Sequence, residues 1–119
     1  MSLNNIAQIL GQTEHFDNVT HHFAPEGQSG YAKQVDMKRG TTALSHSHPT
    51  DHVSVLASGR VLLDTDESDR VELVGPTAVF IKAGLAHAIH AAEDSVWFCV
   101  HNISVDDPDV VDDVILGRV

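Results

Sequence analysis

The strongest constraint on this chain is its short hydrophobic period. From Tyr31 onward, runs of five to nine residues alternate apolar and polar positions, and each run is cut by a turn signal. After Tyr31, Val35 and Met37 come residues 52–58, 60–65, 70–74, 77–81, 87–91 and 95–103, rich in Val, Ile, Leu or Phe. The breaks fall at Gly40, Ser58-Gly59, 66–69, Gly75-Pro76, Ala83-Gly84 and Glu93-Asp94. A period of two places alternate side chains on opposite faces of a strand. Many short strands with regular turns predict an all-β sandwich or barrel. No strand–helix alternation is present, so a parallel α/β sheet is excluded. Residues 1–29 read as a lead-in, with a short helix or irregular segment over 1–12; residues 30–103 read as the barrel. Within 104–119, Asp107 followed by Pro108 and Asp109 starts a short helix. Val110, Val111, Val114 and Ile115 share one helical face, and Gly117 ends it. At 119 residues the whole is one domain.

Histidine is the second constraint. Nine of the 119 residues are His, at 15, 21, 22, 46, 48, 52, 87, 90 and 101. Imidazole is the commonest metal ligand and titrates near neutrality. His46 and His48, two apart on a strand, point to one side. His52 opens the next run with the same parity, and His87 begins a later apolar strand after Ala83-Gly84. These four can converge inside a barrel, where neutral imidazole nitrogens suit one divalent Fe, Ni, Mn, Zn or Cu ion. A three-His face without His52, and a barrel with no metal, are the competing readings. His90 has the opposite parity to His87 and faces away. His21 and His22 precede the barrel and are read as facing water.

Segment 40–59 resembles the first motif of the cupin superfamily, G-x5-H-x-H-x3–4-E-x6-G. Gly40, His46, His48 and Gly59 match, and His52 stands at the glutamate position. Segment 75–91 is similar to the second motif, G-x5-P-x-G-x2-H-x3-N. Gly75, Gly84 and His87 match with one extra residue between the glycines, while Lys82 and Ala91 replace the motif's Pro and Asn. Fifteen residues separate the motifs, as in compact microbial cupins. Residues 21–25 and 95–98 also look like small cupins of bacteriophages and bacteria that have no assigned activity. The resemblance implies a double-stranded β-helix (cupin jelly roll) with a short C-terminal helix, usually a homodimer. It implies a metal site at His46, His48, His52 and His87. Four imidazoles leave the charge of a divalent ion uncompensated, which favours a small anionic ligand.

Along the last long run, Ser95, Trp97, Cys99 and His101 share one face, and Val96, Phe98 and Val100 the other. If the first face lines the barrel, Trp97, Cys99 and His101 are pocket residues; core packing explains Trp97 and Cys99 equally well. Tyr31 is a candidate for the barrel mouth. The net charge of −10 disfavours nucleic acid and anionic membranes. No apolar run approaches the ~18 residues that span a bilayer. Cys99 is the single cysteine, which excludes an intrachain disulfide. With no signal-peptide pattern at the start, a cytoplasmic location is expected. Three functions fit: a dioxygenase-like oxidoreductase acting on a small chelating anion, a non-catalytic ligand- or metal-binding module, and, less favoured, a sugar epimerase or isomerase using Tyr31 and Lys82.

Overall fold

The computed structural model describes residues 11–15, 18–66, 69–104 and 107–117, with backbone alone for 11–15 and 44–46. Among these are ten strands: β1 Gly11–His15, β2 Val19–Phe23, β3 Tyr31–Met37, β4 Thr42–His46, β5 His52–Ser58, β6 Arg60–Thr65, β7 Val71–Val74, β8 Thr77–Ile81, β9 His87–Ala91 and β10 Ser95–His101. One short helix, α1 Val111–Ile115, follows. The strands form a six-stranded sheet ordered β1-β2-β3-β10-β5-β8 and a four-stranded sheet ordered β4-β9-β6-β7. All their pairings are antiparallel. This is a double-stranded β-helix. No helix among the described residues is long and apolar enough to cross a membrane.

The period-two pattern becomes burial. On β10, Ser95, Trp97, Cys99 and His101 are buried, so this face of the strand is the inner one. On β5 the inner set is His52, Ser54 and Leu56, and on β9 it is His87, Ile89 and Ala91. Met37, Leu56 and Trp97 from the larger sheet pack against Val61, Leu63 and Ile89 from the smaller, and these contacts hold the two sheets face to face. Fully burying a side chain such as Leu56 or Val61 contributes roughly 1.5–3 kcal/mol, so this apolar half of the barrel is the part that carries the fold.

Three expectations need correction. The polar stretch 11–15 is a strand, not the end of a helix, and it pairs with β2 from Gly11↔Phe23 to His15↔Val19; residues 1–10 lie outside the described residues. His21 does not face water: on β2 it shares the inner face with Phe23, is fully buried, and its Nδ1 lies 2.6 Å from the Tyr31 hydroxyl. Because it takes an apolar position, it hides the alternation of β2. His22 is half-buried and its Nε2 bonds Gln34 Oε1 at 2.9 Å. His46 and His48 do not share one strand. β4 ends at His46, its register with β9 slips between Ala43 and His46, and His48 lies beyond the strand end.

The helix is shorter than its sequence signals. Asp107 organises a turn first, its carbonyl accepting from the Val110 and Val111 amides at 3.1 and 3.0 Å and its carboxylate from the Asp109 amide at 2.9 Å. Val111 and Ile115, one turn apart, are buried against Phe23 and Tyr31, whereas Val110 is exposed. Gly117, at φ +73°, closes the element.

Candidate metal centre

The inner face of the larger sheet places two imidazoles side by side. Val100 on β10 is registered with Val53 on β5, so the next inward positions, His101 and His52, are neighbours. Their rings stack at 4.6 Å. His48, in the loop between β4 and β5, enters from the side, with ring centroids 4.7 Å from His52 and 5.1 Å from His101. One donor nitrogen from each of His48, His52 and His101 lies within 4.8 Å of the others. All three residues are buried.

His87 comes from the opposite sheet. Its ring is 5.5 Å from that of His48 and 5.8 Å from that of His52, and it too is buried. Across β4–β9, His46 is registered directly opposite His87; the His46 side chain lies outside the described residues. Of the expected four ligands, then, His48 and His52 are in the three-donor cluster, His87 adjoins it, and His46 is placed only by its backbone. His101, expected among the pocket-lining residues, is a full member of the cluster. What marks it in the sequence is parity: it follows Trp97 and Cys99 at intervals of two on the strand whose same face is buried. Parity alone does not say which face is inward.

Two backbone carbonyls set the imidazoles. A carbonyl only accepts, so His48 Nδ1 donates to the Ile115 carbonyl at 2.7 Å, and His87 Nδ1 donates to the Leu85 carbonyl at 3.1 Å. In the neutral rings this leaves the lone pair on Nε2 of each. Carbonyls that fix the tautomer of a ligating imidazole are the usual support of a His-rich metal site. His90 is the contrast: on the opposite face of β9, its Nε2 donates to Asp64 and its Nδ1 accepts from the Thr42 hydroxyl, both at 2.8 Å. Hydrogen bonds from Arg70, then His90, hold the Asp64 carboxyl well below the usual carboxylate range.

Beside the cluster the barrel encloses a cavity of about 90 Å³, lined by Lys33, Met37, His48, Trp97, Cys99 and Ile115 among others. Trp97 and Cys99 therefore border a cavity and also belong to the apolar core. Burial pushes the Cys99 thiol above its ordinary pKa, partly offset by Ser54 and Trp97, so it stays a neutral thiol. Tyr31 does not line this cavity. It lies between His21 and His101, with ring centroids 5.8 and 6.2 Å away, and burial raises its phenol far above the ordinary value. A larger hollow of about 590 Å³ opens at the other ends of β3, β5 and β10, lined by Met37, Lys38, Ser58 and Ser95 among others, and no imidazole lines it among the described residues.

No protein-family model matches the chain, and no curated protein matches it in sequence. Solved structures do match in shape. KdgF from Halomonas sp. aligns with TM-score 0.63 at 17% identity, over 82% of this chain and 91% of that one. An RmlC-like cupin from Shewanella frigidimarina aligns with TM-score 0.62 at 15% identity, over 81% of this chain and 96% of that one. The DMSP lyase DddQ from Ruegeria pomeroyi aligns with TM-score 0.63 at 14% identity; the match covers 82% of this chain but 58% of the lyase. At such identities the likeness establishes the fold, and fold alone does not fix chemistry.

Proposed function

From a barrel of cupin fold with buried imidazoles converging from both sheets, we propose that this protein holds one divalent transition metal and binds a small anionic ligand beside it. The carrying observation is the buried His48, His52 and His101 cluster, with donors within 4.8 Å of one another. Nitrogens bound to one ion at about 2.1 Å lie at most about 4.2 Å apart, so a small ring rotation makes the cluster a chelate. His87 and His46 are proposed as further ligands from the opposite sheet. A divalent ion there would supply Lewis acidity or, as iron, oxygen chemistry. The donor cluster contains no carboxylate, so an anion would complete its charge balance. A dioxygenase-like oxidoreductase working on a small chelating anion is the enzyme reading.

A non-catalytic binding module is the second reading, favoured by the helix that closes over His48 and by the absence of a carboxylate base from the cluster. Elemental analysis of protein purified without chelators or metal-affinity resin tests the metal claim. About one equivalent of Fe, Ni, Mn, Zn or Cu is expected, and protein that neither carries nor takes up metal refutes it. Oxygen uptake with iron loaded separates the enzyme from the module. We further propose a homodimer in the cytoplasm, with the exposed, mutually registered Val100, Val53 and Phe80 as its apolar contact. Light scattering on a Phe80→Lys variant tests this: it should be monomeric if that face is the contact.

A further inference from the structure

Among the described residues, Lys33 is the one ammonium lining the barrel cavity. It alternates inward with Tyr31, Val35 and Met37 on β3, and is registered with Cys99 on one side and His21 on the other, both buried. The cavity it borders, about 90 Å³, is otherwise largely apolar, walled by Met37, Ile89, Trp97 and Ile115, and it reaches His48. An ammonium drawn in among apolar walls requires a counter-charge. Here Asp112 of α1 provides it, its Oδ1 2.8 Å from Lys33 Nζ. The same helix gives the Ile115 carbonyl to His48. The carboxylate on Lys33 and the carbonyl on His48 therefore arrive on one five-residue element, held otherwise by Val111 and Ile115.

We infer that the cavity takes a short-chain monocarboxylate whose carboxylate replaces Asp112 on Lys33, loosening α1 from His48 as the ligand enters. This rests on the reading of the barrel interior as a ligand site beside a metal, and it names the ligand class and the residue that selects it. The size follows from the volume. A cavity of about 150 Å³ accommodates benzene, with its six heavy atoms, so 90 Å³ accommodates about three or four. A carboxylate already uses three of these, leaving room for at most one further carbon while α1 stays close. Longer chains, propionate included, require α1 to swing away, which release of Asp112 from Lys33 permits. Asp112 lies outside the cavity's apolar wall and is more exposed than Lys33, with side-chain exposures of 38% and 23%, so it can leave for solvent without uncovering the core.

Trp97 is the only tryptophan and lines the cavity, so its fluorescence reports occupancy. The full-length, metal-loaded protein is titrated with sodium propionate and, separately, with propionamide, its neutral counterpart. Propionate should give a saturable change and propionamide none. Lys33→Met should weaken propionate binding at least tenfold, Lys33→Arg should retain it, and Asp112→Asn should strengthen it by removing the internal competitor. An equal response to propionamide overturns the inference. So does unchanged affinity in Lys33→Met, which would place the carboxylate on the metal. Should Lys33→Met not fold, weaker rather than tighter binding in Asp112→Asn refutes the displacement. Metal content is read on the same samples. Metal retained without a propionate response refutes the Lys33 assignment and leaves the metal reading standing, whereas failure to take up metal removes both.

Discussion

Two glycines at the ends of the first histidine segment have nearly the same backbone and different surroundings, so they separate conformational strain from steric collision. Gly40 has φ +89° and an added Cβ there would meet nothing within 4 Å. Gly59, in the turn between β5 and β6, has φ +94°, and a Cβ would run into the Ser95 hydroxyl and the Asp94 carbonyl and come within 2.7 Å of the Ser95 Cα. Placing alanine at either position costs about 1–2 kcal/mol for the left-handed conformation. About 0.4–1 kcal/mol returns because the unfolded chain is stiffened. Gly40→Ala should therefore destabilise by about 1 kcal/mol. At Gly59 two of the three colliding atoms are backbone at the start of β10, which is paired on both sides and carries Trp97. Overpacking of this kind adds about 1–3 kcal/mol, giving about 2–4 kcal/mol in total. In urea, with a slope near 1.5 kcal/mol/M, the two midpoints should differ by about 1–2 M, with Gly59→Ala the lower. Coincident midpoints would show that β10 yields freely at its start, and would refute the claim that its close approach to the turn fixes the barrel end.

The buried Cys99 thiol, raised by desolvation, should resist thiol reagents at pH 8 in the native protein and react fully in denaturant; rapid native labelling would contradict the packing around it. Asp64 is depressed in the folded state, so its contribution to stability is present above the unfolded carboxylate value of about 4 and is lost as pH falls through the folded value. Arg70→Met should therefore flatten the fall in Tm below about pH 4; parallel Tm curves would show that the Arg70 pair is energetically silent. Ligating imidazoles must be neutral, so metal affinity should decline as pH drops below about 6.5, the ordinary histidine value; titration of metal uptake at pH 7.5 and 5.5 should show it, and equal affinities would point to ligands other than histidine.

The legible part of the fold is the part written in period two. β5, β6, β8 and β9 fall where alternation and turn residues place them, and β10 carries its Trp97 face inward. β1 escapes because it is an edge strand of polar sequence, and β2 because its inner face carries His21 beside Phe23. His21 reads as solvent-facing until the Tyr31 hydroxyl gives its ring a partner. β4 is visible only through His46, and because the strand ends there, parity does not link His46 to His48. At the site, local spacing points to His48, His52 and His87 because they sit in two short segments. His101 lies in neither segment, and its place beside His52 depends on the pairing of β10 with β5, a long-range register that no local pattern encodes. The hold of α1 on His48 and Lys33 is likewise tertiary: it joins residues 67 and 79 positions apart.

In the proposed function, imidazoles from both sheets hold one metal ion in the barrel. The most direct test is an equilibrium titration of chelator-stripped protein with Zn²⁺, comparing the native chain with the His52→Ala/His101→Ala double variant, each checked for folding by circular dichroism. One equivalent should bind the native protein, with affinity at least 100-fold weaker in the variant, which loses two of the three clustered donors. Equal uptake by the two folded proteins would place the metal elsewhere and contradict the proposal.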